Sequence, residues 1–179
     1  MIISDSALTL KIHFLAGNFI WLDWIIVFFG GYFEYLLLAF LLGLLLLSKN
    51  SRIQYWRMIA VGLIAALFSR FAVAETIRAL YPRARPFEIF EFQPLILHET
   101  TSGFPSGHAS FYFALATIIF LYDRKLGGWF FVGATLISFA RVAAGIHFLG
   151  DILLGFSVGV LSAVFIYKLA CKRFPNLAK

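Results

Sequence analysis

The chain reads as an all-α membrane protein: a polytopic helical bundle with five or six transmembrane helices in a single domain covering residues 1–179. Three observations predict this. The chain is 61% hydrophobic with a mean hydropathy of +0.89, against about 45–50% apolar residues in an ordinary soluble domain. The apolar residues come in long runs and lack the ten-residue alternation of barrel strands. The length, 179 residues, suits one bundle and leaves no separate soluble domain.

The elements follow in order. The stretch HFLAGNFIWLDWIIVFFGG near the start is long enough to span, but it holds Asn18 and Asp23, carries Trp21 and Trp24, and ends in Gly-Gly. Tryptophan favours the membrane interface, so residues 1–30 are read as an interfacial N-terminal helix, with a sixth span as the alternative. Apolar runs at 32–48, 57–77, 107–122, 128–144 and 150–168 each approach the ~20 residues that cross a hydrocarbon core. The N-terminus lacks a basic region and a small-residue cleavage site, so no removable signal peptide is expected. Cys171 is the one cysteine, which precludes an intrachain disulfide.

Charge position sets the topology. Lys49, Arg52 and Arg57, then Arg124 and Lys125, then Lys168, Lys172, Arg173 and Lys179 fall on one side of a five-span bundle. That side is cytoplasmic by the positive-inside rule. The loops at 78–106 and 145–149 then face outward, although both are basic or carry histidine. Charges that run against the bias require a reason.

Three outward clusters supply one. The first, RALYPRARP, holds Arg78, Arg83 and Arg85. Guanidinium forks match phosphate oxygens two at a time, and the plain alternative is a snorkelling interface cluster. The second, FPSGHAS, opens a helix: Ser106 is a good N-cap, Gly107 permits close backbone approach, and His108 sits in the first turn. A helix start favours anions. In the third, RVAAGIHFLGD, His147 and Asp151 are four apart, and a helix beginning near Gly145 would put them on one face. A carboxylate beside an imidazole fixes its tautomer. Arg141 lies across the loop and can reach back. Glu88, Glu91 and Glu99 share the loop with these cations, either pairing with them or facing water. Arg70 and Glu75 lie within the second apolar run. Together the clusters offer a nucleophile, an acid and charge clamps for a transferring phosphoryl group.

Arg78-x6-Arg85-Pro86, then Pro105-Ser106-Gly107-His108, then Arg141-x5-His147-x3-Asp151 resembles the three-part signature of the type 2 phosphatidic acid phosphatase superfamily, over roughly residues 78–151. Two positions depart from the usual pattern: Arg78 stands where Lys is common, and Ala140 where Ser precedes the arginine. The resemblance implies a phosphohistidine mechanism. His147 would attack phosphorus, Asp151 would orient it, and His108 would protonate the leaving oxygen and then activate water. Arg78, Arg85, Ser106, Gly107 and Arg141 would hold the phosphate. No metal or cofactor is implied; a zinc site on His108, His147 and Asp151 is disfavoured by so many adjacent arginines.

The stretch LILHETTSGFPSGHA, with His98 ahead of the second motif, looks like the small bacterial undecaprenyl-diphosphate phosphatases. That resemblance implies hydrolysis of undecaprenyl diphosphate to undecaprenyl phosphate at the outer face of the bacterial cytoplasmic membrane, recycling the cell-wall carrier. His98 is a candidate contact for the distal phosphate, and a loop histidine in water is the alternative. The expected partners are a lipid phosphate and the bilayer, with no nucleic acid. The alternatives are another lipid phosphate (phosphatidylglycerophosphate, phosphatidic acid or lipid A phosphate) and a non-catalytic membrane protein with a degenerate site.

Overall fold

A computed structural model describes residues 2–47, 52–98 and 100–174; Lys49, Glu99 and Lys179 lie outside them. Every regular element among the described residues is helical. Helix α1 (Ile2–His13) is followed by α2 (Ile20–Val27), which runs through a π-helical turn (Phe28–Tyr32) into α3 (Phe33–Leu47). The three pieces make one apolar helix of 28 residues, Ile20–Leu47. Likewise α4 (Arg52–Leu67), a π-helical segment (Phe68–Ala74) and α5 (Glu75–Leu80) are continuous. The short α6 (Pro86–Ile89), then α7 (Gly107–Tyr122), α8 (Arg124–Ala143) and α9 (Leu149–Arg173) complete the order. Among the described residues four helices are long and apolar enough to cross a membrane, Ile20–Leu47, Ile53–Leu80, Arg124–Ala143 and Leu149–Arg173, with α7 as a shorter apolar helix.

The first spanning helix therefore starts earlier than residue 32. The segment read as interfacial divides in two: residues 2–13 form α1, while Trp21, Asp23 and Trp24 occupy the first turns of the long helix. Both tryptophans are exposed there. Gly30 and Gly31 do not end the helix, because the π turn carries the chain through them. Gly30 packs closely: a methyl group on it would come within 2.7 Å of the terminal methyl of Ile96, which would have to move aside.

Helix α7 is the centre of the bundle. It has 16 residues, so it is about 24 Å long, short of the ~30 Å hydrocarbon core. It is largely apolar, and eleven of its 16 residues are buried, as expected for a helix enclosed by others. It packs on α4, α8 and α9. The α7–α9 seam is built from small residues that let two backbones approach. A Cβ on Gly155 would lie 2.7 Å from the Ala109 methyl and 2.8 Å from the Ser106 carbonyl oxygen, and one on Gly159 2.8 Å from the Ser110 carbonyl oxygen.

Gly155→Leu should accordingly lower the thermal midpoint of the detergent-solubilised protein. Overpacking costs about 1–3 kcal/mol, and the atoms met here include backbone, which cannot swing aside. At about 2–4 °C per kcal/mol for a chain of this size, a drop of about 2–12 °C is expected in a melting curve.

The connections place the chemistry. Helices α5 and α8 end, and α7 and α9 begin, at one end of the bundle. That end is also covered by α1, which packs on α8 and α9.

Candidate active site

His147 is not on a helix. Helix α8 stops at a glycine: Gly145 adopts φ +81°, its N–H bonds the Val142 carbonyl, and the next N–H, of Ile146, bonds the Arg141 carbonyl. This left-handed termination needs a residue without Cβ. Gly145 thus closes the preceding helix instead of opening the next one. Helix α9 begins at Leu149, and His147 lies in the link, 1% exposed.

Asp151 is fixed in the first turn of α9. Its Oδ2 accepts the Phe148 backbone N–H at 2.8 Å and lies 3.4 Å from His147 Nδ1, while its Oδ1 accepts from Arg83 Nη1 at 2.9 Å. A carboxylate in this turn also answers the positive end of the helix. The remaining donors of the turn are taken by α1: Thr9 Oγ1 accepts from the Leu149 N–H at 3.1 Å, and Asp5 Oδ1 from the Gly150 N–H at 2.9 Å. Arg83 bridges Asp151 and Asp5, whose Oδ2 accepts from its Nη2 at 2.8 Å, and lies over the Phe148 ring at 4.0 Å.

The other ring nitrogen, His147 Nε2, is 3.5 Å from Arg85 Nη1. A carboxylate at Nδ1 and an obligate donor at Nε2 select the tautomer with its proton on Nδ1 and its lone pair on Nε2. Burial, reinforced by the cations of Arg141 and Arg85, holds the imidazole well below its usual pKa range. It is therefore neutral at physiological pH.

Arg85 is 2% exposed and held by carbonyls: Nε donates to Thr101 at 2.8 Å and Nη1 to Ile146 at 2.9 Å. Glu88 does not pair with a guanidinium; its carboxylate accepts the Arg85 backbone N–H at 2.6 Å. Gly103 lies so near that a Cβ there would meet Asp151 Oδ2 and Arg85 Cγ, each at 3.3 Å. Arg141, 4% exposed, donates Nη1 to the Gly30 carbonyl at 2.8 Å, and its Nε has no partner among the described residues. Neither Arg85 nor Arg141 is in an ion pair among the described residues. The ring of His98 is 6.4 Å from that of His147.

Arg78 donates Nη2 to the Pro105 carbonyl at 2.9 Å and Nη1 to Glu75 at 2.8 Å. Ser106 is buried, and its hydroxyl caps α7 by accepting from the Ala109 N–H, while its own N–H bonds the Asp151 carbonyl at 3.0 Å. This bond ties the second motif to the third. At Gly107 the close approach is made by a side chain of the protein itself. The Arg70 guanidinium lies against it, and a Cβ there would stand 2.2 Å from Nη1.

His108 meets a residue that the motif reading missed. Its Nε2 is 3.3 Å from Glu34 Oε2, on α3. Asp5 and the bridging role of Arg83 were missed as well, whereas Arg70, noted in the second apolar run, pairs with its neighbour Glu75 at 2.7 Å. Glu34 could have been found as a lone acid inside an apolar run, which is unusual without a function. Glu34→Gln should lower kcat about 10- to 100-fold with little change in KM, and Glu34→Asp should recover part of the loss. Steady-state kinetics on both variants checks this.

The arrangement offers a neutral imidazole with its lone pair facing a guanidinium that is in no ion pair among the described residues, and a second imidazole on a carboxylate. Residues 59–175 match the PAP2 superfamily. The chain is 31% identical over 144 residues to the bacitracin transport permease protein BcrC of Bacillus licheniformis, covering 78% of this chain and 68% of that protein. It is 26% identical over 168 residues to the undecaprenyl-diphosphatase BcrC of Bacillus subtilis, covering 94% and 82%. The crystal structure of Aquifex aeolicus LpxE shares the fold, with a TM-score of 0.68 at 23% identity over 90% of this chain and 93% of that one. The three motifs that the fold draws to one end of the bundle all lie within the matched residues, and the chain belongs to the PAP2 superfamily.

Proposed function

We propose that this membrane phosphatase removes the terminal phosphate of undecaprenyl diphosphate, leaving undecaprenyl phosphate and inorganic phosphate. The observation that carries the chemistry is the pair of contacts on His147, Asp151 at Nδ1 and Arg85 at Nε2. The substrate is supported by the likeness to the undecaprenyl-diphosphatase of Bacillus subtilis along 94% of the chain.

In the first step His147 Nε2 attacks the terminal phosphorus, and the bond from phosphorus to the bridging oxygen breaks. His108 gives its proton to that oxygen, which leaves on the lipid phosphate. Arg78, Arg85 and Arg141, with the Gly107 amide, take up the charge on the equatorial oxygens. In the second step His108 draws a proton from water, the water oxygen bonds phosphorus, and the phosphorus–nitrogen bond breaks to release phosphate. Ser106 supports this indirectly, by capping α7 and binding the Asp151 carbonyl. His98, whose ring stands edge-on to that of His147 at 6.4 Å, is read as a further contact for the same phosphate.

The site is read as outward-facing. Arg57, Arg124, Lys125, Lys168, Lys172 and Arg173 lie toward the opposite ends of their helices, which the positive-inside rule makes cytoplasmic.

Phosphate release by the purified protein with excess EDTA tests the reading. Undecaprenyl diphosphate and phosphatidylglycerophosphate are offered side by side. Faster turnover of the prenyl diphosphate is expected; turnover mainly of the glycerolipid would overturn the substrate and retain the mechanism.

A further inference from the structure

We propose that Arg70 holds the phosphate that remains on the lipid, and so makes the site selective for diphosphates over monophosphates. This rests on the reading above, in which the bond broken lies between two phosphorus centres.

The geometry starts from His108. A group that protonates the leaving oxygen must stand beside it, so the rest of the leaving group lies in the space that His108 faces. A cleft of about 180 Å³ opens there, lined by His108, Glu34, Arg70, Gly107 and the rings of Phe71 and Phe111. His147 does not line it. In a monophosphate ester the leaving group is a neutral alcohol. In a diphosphate it is a phosphate, and the cleft must then accept an anion. Glu34 cannot serve that anion and is already set against His108. Arg70 is the cation in the cleft wall.

Folding alone gives Arg70 little reason to be there. It lies across Gly107 at the first turn of α7, the positive end of that helix, and it adds to the charge of Arg78, Arg85 and Arg141. Its carboxylate partner, Glu75, accepts from Arg70 Nη1 at 2.7 Å and is shared with Arg78. Nε and Nη2 of Arg70 have no acceptor among the described residues, and the side chain keeps 25% of its surface exposed. An open guanidinium edge beside an aromatic-walled cleft suits a phosphate that carries an apolar chain. The π-helical segment Phe68–Ala74 carries this residue, and such segments are frequent at functional sites.

The test compares farnesyl diphosphate with farnesyl monophosphate as substrates of the wild-type protein, R70A and the more nearly isosteric R70Q. The readout is the ratio of kcat/KM for the two substrates. In either charge-neutral variant the ratio should fall at least about tenfold, since a charge-assisted contact to phosphate is present for one leaving group and absent for the other. An unchanged ratio in a folded variant would overturn the proposal. Inhibition of the wild-type protein gives a second, variant-independent readout: inorganic pyrophosphate should bind tighter than inorganic phosphate, and equal affinity would count against it. Failure of wild-type protein to cleave the diphosphate would instead strike the parent reading.

Discussion

His147→Ala should abolish turnover, with kcat falling by at least about 10⁴-fold, because the variant has no atom to form the covalent intermediate. The measurement is phosphate release with the diphosphate substrate, paired with a search for protein-bound phosphate after acid-free quenching. Wild-type protein should carry label from a terminally labelled substrate, and the variant should carry none. Substrate affinity should change little, since Arg85, Arg78 and Arg141 keep their own carbonyl anchors. Labelling of the alanine variant at wild-type level would move the nucleophile elsewhere.

Asp151→Asn should be nearly as severe, for two separable reasons. The amide can still accept the Phe148 N–H, so α9 keeps its start. It cannot serve both His147 and Arg83 as the carboxylate does through its two oxygens. With Nδ1 of His147 no longer held by an anion, the tautomer bearing its lone pair at Nε2 loses its preference, and kcat should fall about 10³- to 10⁴-fold. The same change strips Arg83 of one buried partner. Breaking a buried pair costs about 3–5 kcal/mol, and the lower figure is expected because Asp5 continues to hold Arg83 Nη2 at 2.8 Å. Kinetics and a melting curve on one preparation read both effects. A loss of activity without a loss of stability would show that Arg83 is held by Asp5 alone.

The meeting of His147 with Asp151 and Arg85 was legible in the chain because it is written in residue types and spacing, a histidine with a carboxylate four positions on and arginines in the neighbouring loop. The apolar runs likewise gave five apolar helices, since hydropathy is local. What was not legible depends on packing between distant segments. Glu34 and His108 are on different helices, and no spacing relates them. Asp5 and Thr9 look like ordinary polar residues of an N-terminal segment until α1 lies across the start of α9. The two π-helical segments leave no period to read. The start of α9 was misjudged because Gly145 fits either the end of one helix or the beginning of the next, and only the bonds from Gly145 and Ile146 back into α8 decide. Gly107 was correctly read as a place of close approach, but the approaching group is a guanidinium of the protein itself.

The bridge from Asp5 through Arg83 to Asp151 joins the first helix to the last. This has a bearing on how the protein is made. Synthesis runs from the N-terminus, so Asp5 and Arg83 are in place long before residue 147 leaves the ribosome. Until the final helix enters the bilayer, the unfinished protein holds Arg78, Arg83 and Arg85 and lacks Asp151. On the mechanism proposed above, such a chain would attract a phosphate without cutting it, and the carboxylate that completes the bridge would be the one that orients the histidine beside it.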